Sequence, residues 1–134
     1  MDINNIEFIW ILITIITSLS SGIIGVVISI VYHKKAEKQR SKNETLKNLV
    51  GYRFHIQGEK FSKTLNEIFI VFQDSKIVIE KLNKLHAVIN IKSDNKDLVN
   101  EALLNLFKTM CEDIDIDFSK NNDSLFLKAF NIKE

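Results

Sequence analysis

The chain reads as all-α: one N-terminal transmembrane helix continuing into a stalk, then a small cytoplasmic helical bundle with a short extended C-terminal strap. Three observations predict this. Residues 8–32 hold no charged residue and no proline. Residues 33–45 are polar, basic and free of proline. Beyond them, apolar residues return at helical spacing in successive segments, three of them preceded by capping residues.

The apolar run comes first. At about 1.5 Å of rise per residue it forms a helix of roughly 37 Å, against a bilayer core of about 30 Å. Asp2 and Glu7 precede it, while His33, Lys34, Lys35, Lys38, Arg40 and Lys42 follow. Basic residues stay on the cytoplasmic side, so residues 1–7 are expected outside and the C-terminal part inside. Trp10 and Tyr32 lie near opposite ends of the run, where aromatic rings favour the interface. A cleaved signal peptide fits poorly: the leading residues are acidic, the core is long, and no A-x-A pattern follows. The lone Cys111 suits a reducing compartment.

The span carries a periodic feature. Thr17, Ser21, Gly25 and Ser29 recur every four residues, and Thr14, Ser18 and Gly22 form a second row beside them. Residues four apart share a helix face. Small residues on one face let helix backbones approach closely in lipid, and hydroxyls can bond across the contact. Self-association through this face is the expectation; a pore is the weaker one, because the face has no charged or amide side chain.

The basic stalk spans residues 33–45. Lys34, Lys35, Lys38 and Arg40 are expected to meet anionic lipid headgroups. No aromatic platform accompanies them, and the net charge is +1, so nucleic acid is not expected as a partner.

Residues 46–134 are enough for one small domain. Leu46, Leu49, Val50 and Phe54 begin its first apolar face, with Gly58 as the stop. Ser62 is the expected N-cap of the next helix, whose buried face is Leu65, Ile68, Phe69 and Phe72. Asp74 or Ser75 caps another, with Val78, Leu82, Leu85 and Ile89 inward. Ser93 or Asp94 caps a last one, striped by Leu98, Val99, Ala102, Leu103, Leu106, Phe107 and Met110. Ile114, Ile116 and Phe118 alternate with Asp113, Asp115 and Asp117, which is strand-like. Leu125, Phe126, Leu127 and Phe130 are placed to cover the bundle.

Signals for catalysis or cofactor binding are weak. The alternating aspartates lack the Gly and Glu of a calcium loop, since Phe118 and Ser124 stand at those positions. His33, His55 and His86 have no zinc-ligand spacing. Cys111 follows Met110 on an apolar stripe, which suits packing better than nucleophilic work. Four glycines, two of them in the span, leave nothing for a phosphate loop. The expectation is a non-enzymatic protein with no cofactor, no metal and no small-molecule substrate.

The order Leu49-Val50-Gly51-Tyr52-Arg53, Leu65-Asn66-Glu67-Ile68 followed by Phe72, Leu103 to Met110, and Ile116-Asp117-Phe118-Ser119-Lys120 resembles a bacterial family of membrane-anchored proteins, the domain of unknown function numbered 6680. The resemblance covers most of residues 43–120, and the preceding span fits it. It implies no activity. It does imply that Arg53, Asn66, Asp117 and Lys120 belong to the scaffold, as a structural polar cluster holding helices in register. A partly buried Arg53 would need Asn66, Asp74 or Asp117 as partner. The tail after Asn121 departs from the family pattern.

Together these readings describe a single-pass protein of a bacterial inner membrane that presents an interaction domain to the cytoplasm. Its expected partners are membrane lipid and either another copy or a different membrane protein. The alternatives are an oligomerising, membrane-perturbing effector, for instance in phage defence, and an accessory subunit of a larger membrane complex.

Overall fold

A computed structural model of the chain describes residues 3–90, 96–118 and 123–128. These residues form α1 (Ile3–Tyr52), α2 (Glu59–Val71), α3 (Lys76–Asn90), α4 (Lys96–Asp113) and the one-turn α5 (Asp123–Phe126), with no strand among them. The chain divides into two units between Glu37 and Lys38.

The first unit is the N-terminal part of α1. Its side chains from Asn5 onward are exposed, including Trp10, Ile23 and Ile28. The helix is long and apolar enough to cross a membrane. Thr14 Oγ1 donates to the Trp10 carbonyl at 2.8 Å, and Thr17 Oγ1 to those of Ile13 and Thr14 at 2.9 and 3.0 Å. These hydroxyl protons are therefore used inside their own helix, where no water is needed to satisfy them.

The second unit begins at Lys38. Its core takes Leu46 and Leu49 from α1, Phe61, Ile68 and Phe72 from α2 and its cap, Val78, Leu82 and Leu85 from α3, and Leu103, Leu106, Phe107, Met110 and Cys111 from α4. The stripe expected on α3 is buried as far as Leu85, with Ile89 packed at its edge. The α4 stripe is buried from Leu103 onward, while Leu98 is exposed. The caps expected at Ser93 or Asp94 lie outside the described residues, as does Phe130.

Four local expectations are corrected. Gly58 does not stop the first helix. That helix ends at Tyr52 and leaves Phe54 exposed, while Gly58 occupies the N-cap of α2. The chain turns sharply there: Gly58 donates its N–H to the His55 carbonyl at 2.7 Å, and a Cβ at 58 would stand 3.0 Å from that oxygen. Ser62 is already inside the helix, its N–H bonded to the Gly58 carbonyl at 3.1 Å.

The inner face of α2 is also displaced. It runs through Phe61, Thr64, Ile68 and Phe72, and leaves Phe69 exposed. Thr64 can hold an inner position because its hydroxyl donates to the Lys60 carbonyl at 2.9 Å.

The aspartate-rich segment is not a strand. α4 ends in a Schellman turn: Ile116 N–H bonds the Cys111 carbonyl at 2.9 Å and Asp115 N–H the Glu112 carbonyl at 3.2 Å. Asp115 takes the left-handed conformation this requires, with φ 60°. Ile114 is buried and Ile116 exposed, so the alternation does not sort one face from the other. Glycine adopts this conformation without the Cβ penalty. Asp115→Gly is expected to stabilise the fold by about 0.5–1 kcal/mol, read as a higher denaturation midpoint with unchanged denaturant dependence.

After the turn, aromatic contacts return the chain to α4. The Phe107 ring meets Phe118 edge-on at 4.7 Å and stacks on Phe126 at 4.3 Å. Lys108 binds the Asp123 carboxylate at 2.8 Å, fixing the start of α5.

Candidate functional site

The sequence pointed to three groups of residues. The first is the small-residue face of α1. Thr17, Ser21, Gly25 and Ser29, with Ser18 and Gly22 beside them, are all exposed. A shallow groove of about 390 Å³ follows the second row, lined by Ser18, Leu19, Gly22, Ile23, Val26 and Val27. A Cβ added at Gly22 or Gly25 would meet nothing within 4 Å. Neither glycine is required by a contact within the chain.

The second group is the basic stalk. Lys34 and Lys35 are exposed. Lys38 hydrogen-bonds Asp74 at 3.0 Å, and Arg40 pairs with Glu44 one helical turn on at 3.1 Å. The Arg40–Glu44 pair is exposed at both ends and adds little to stability.

The third group is the polar cluster around Arg53, which has different partners from those expected. Its Nε donates to the Phe126 carbonyl at 2.6 Å and its Nη2 to the Lys128 carbonyl at 2.9 Å, while Nη1 donates to the Val50 carbonyl. The guanidinium lies 4.3 Å from the Phe54 ring centroid and 5.4 Å from that of Phe126. Asn66 and Asp117 are both exposed; Lys120 lies outside the described residues. The physical reason is the position of Arg53 just past the end of α1. The last carbonyls of a helix lack intrahelical donors, and a guanidinium can supply them. Arg53 thus joins the end of α1 to the C-terminal segment.

One constellation escaped the sequence reading. Lys42 is buried. Its Nζ stands 2.6 Å from Asp113 Oδ2 and 3.6 Å from Asp74 Oδ1, and 5.0 Å from the Phe72 ring centroid. Asp74 uses its other oxygen for Lys38, and the Lys38 hydrogen bond holds its carboxyl below the usual carboxylate range. Nearby, Gln39 Nε2 donates to the Ile114 carbonyl at 3.1 Å. Two ammonium groups on α1 are thus matched to carboxylates from the α2–α3 turn and the end of α4. The ammonium of Lys42 also suits the negative end of the α4 dipole. This node fixes the register of α1 on the bundle.

Cys111 is buried, and that burial raises its thiol pKa to about 11. It is a packing residue by this geometry, not an activated nucleophile. Between α3 and α4 an open groove of about 420 Å³ has an apolar floor that includes Ala87, Val88, Leu98 and Ala102. Among the described residues no group of three or more metal-ligating side chains is gathered.

An exposed apolar helix long enough for a bilayer, followed by a small helical domain with a part-buried charge node, defines the class: a helical protein with, among the described residues, one candidate membrane helix. The chain belongs to the family of unknown function DUF6680, whose family model matches residues 1–123. The match takes in the apolar helix as well as the bundle and ends where α5 begins. No curated protein matches the chain significantly, nor does any solved structure.

Proposed function

We propose that this is a single-pass protein of the bacterial inner membrane, with its N-terminus outside and a non-enzymatic helical interaction domain in the cytoplasm, and that it self-associates through the small-residue face of α1. The observation that carries the association is the open space around Gly22 and Gly25. A glycine inside a helix costs about 1 kcal/mol relative to alanine, and no intrachain contact offsets that here. Close approach of a second helix backbone in lipid is the physical use of such positions.

The orientation follows from the charges that flank the span, acidic before and basic after. Two polar groups of the domain serve its own architecture. The ammonium of Lys42 and the guanidinium of Arg53 are both engaged in tying elements together.

The test is energy transfer between two labelled populations of the full chain in lipid vesicles. Transfer that rises with the protein-to-lipid ratio and is diluted by unlabelled chain supports the reading. Absence of transfer at high ratio contradicts it.

A further inference from the structure

We infer that residues 123–128 are an exchangeable strap: they open without unfolding the domain, and the seat they leave takes the same segment from a second copy of the chain. This contact is separate from the association of α1 and does not depend on it.

The seat is built from three residues outside the strap. Arg53, just past the end of α1, donates Nε–H to the Phe126 carbonyl at 2.6 Å and Nη2–H to the Lys128 carbonyl at 2.9 Å. Phe107 on α4 stacks on the Phe126 ring at 4.3 Å, and Phe126 is only 5% exposed. Lys108, the next residue of α4, binds the Asp123 carboxylate at 2.8 Å. One buried aromatic anchor, two backbone carbonyls and one carboxylate three residues before the anchor hold the segment. A buried aromatic in a pocket, ringed by weaker contacts, is how a separate peptide docks on a surface.

The strap gives up little when it leaves. Asp123, Ser124, Leu127 and Lys128 are exposed while Phe126 is buried. The Lys108–Asp123 pair is open to water at both ends and fixes geometry more than it stabilises. A segment with so few buried apolar groups opens locally at lower cost than the whole domain unfolds.

The seat also survives without its occupant. Phe107 keeps Phe118 edge-on at 4.7 Å. Arg53 keeps the Val50 carbonyl and the Phe54 ring, and it is already half-buried only, so no charge is stranded. α4 packs along α3, and its Leu103, Leu106 and Met110 are buried in the core.

The occupant is a second copy because the segment that the seat holds is carried by every copy. Exchange of an identical element between protomers makes in trans the contacts already made in cis.

The test uses the full chain carrying Phe126→Ala, whose own strap has lost its anchor, in detergent micelles. The probe is a fluorescent synthetic peptide of residues 121–134, followed by anisotropy. The peptide carries no apolar span, so its binding reads the seat and not α1. The expected result is one peptide bound per Phe126→Ala chain, at least about tenfold tighter than to the intact chain, whose seat is filled in cis. The same peptide with Phe126→Ala should not bind. Arg53→Gln added to the Phe126→Ala chain should weaken binding about tenfold, since two hydrogen bonds from a charged group are lost. Hydrogen exchange at core amides of α3 and α4 should be the same in the Phe126→Ala and intact chains.

No binding to the Phe126→Ala chain, or equal binding to it and to the intact chain, overturns the proposal. Loss of α3 and α4 protection in the Phe126→Ala chain also overturns it, since the strap would then be part of the core.

Discussion

Lys42→Ala destabilises the helical domain by about 2–3 kcal/mol, less than the roughly 3–5 kcal/mol of a fully buried pair, because Asp113 keeps some contact with water. The lysine side chain is 7% exposed and that of Asp113 is 18% exposed, so the abandoned carboxylate is only partly hydrated. Asp74 retains Lys38 and loses only its longer contact, at 3.6 Å, and therefore contributes little to the loss. A small domain has roughly 5–15 kcal/mol of stability in all, so this single change removes a large fraction.

The sign reverses if both charges are removed together. Lys42→Met combined with Asp113→Leu is expected to recover most of the loss, because no buried charge remains unpaired. Hydrogen exchange at core amides of α3 and α4 in the full chain measures both variants. Equal protection in wild type and Lys42→Ala would show that the pair adds nothing.

Gly25→Leu lowers self-association of the full chain in bilayers about tenfold or more, equivalent to about 1.4 kcal/mol. The side chain enters open space in the single chain, so the fold itself gives no resistance. Any loss must come from what the face meets in lipid. Backbones held apart by four added carbons lose the close packing that small residues permit. Ile24→Leu, off the ridge, should leave association unchanged. The Gly25→Leu variant is also expected to keep the same hydrogen-exchange protection in α3 and α4. Association equal to wild type would mean that the glycines serve no helix contact.

The helices of the domain were legible where apolar residues keep a clean period. Val78, Leu82 and Leu85, and Leu103 through Met110, fall on the faces that the spacing predicts. What the spacing cannot reveal is a buried residue that is not apolar. Lys42 reads as one more basic residue of the stalk, since the two carboxylates that hold it come from distant parts of the chain. Thr45 and Thr64 are hidden for the same reason.

The misplaced features have separate causes. Ile114 to Phe118 alternate like a strand, but one residue of left-handed backbone at Asp115 satisfies the free carbonyls of α4 and ends the helix there. Phe69 matches the α2 period, yet the buried face takes in Thr64, whose hydroxyl is satisfied by the Lys60 carbonyl one turn back. For Arg53, partners sought among side chains were found among backbone carbonyls, which every residue carries and no motif announces. The small-residue face is a pattern within one helix, and its side chains are exposed there.

Thiol labelling in intact bacterial cells tests the central claim of a single span with the domain inside. Asn5→Cys and Asn66→Cys place exposed thiols on either side of the apolar run, while Cys111 stays silent through burial and its raised pKa of about 11. With a membrane-impermeant maleimide, the account predicts labelling at position 5 in intact cells and at position 66 only after permeabilisation. Labelling of position 66 in intact cells, or release of the unlabelled chain from membranes by alkaline carbonate, would contradict it.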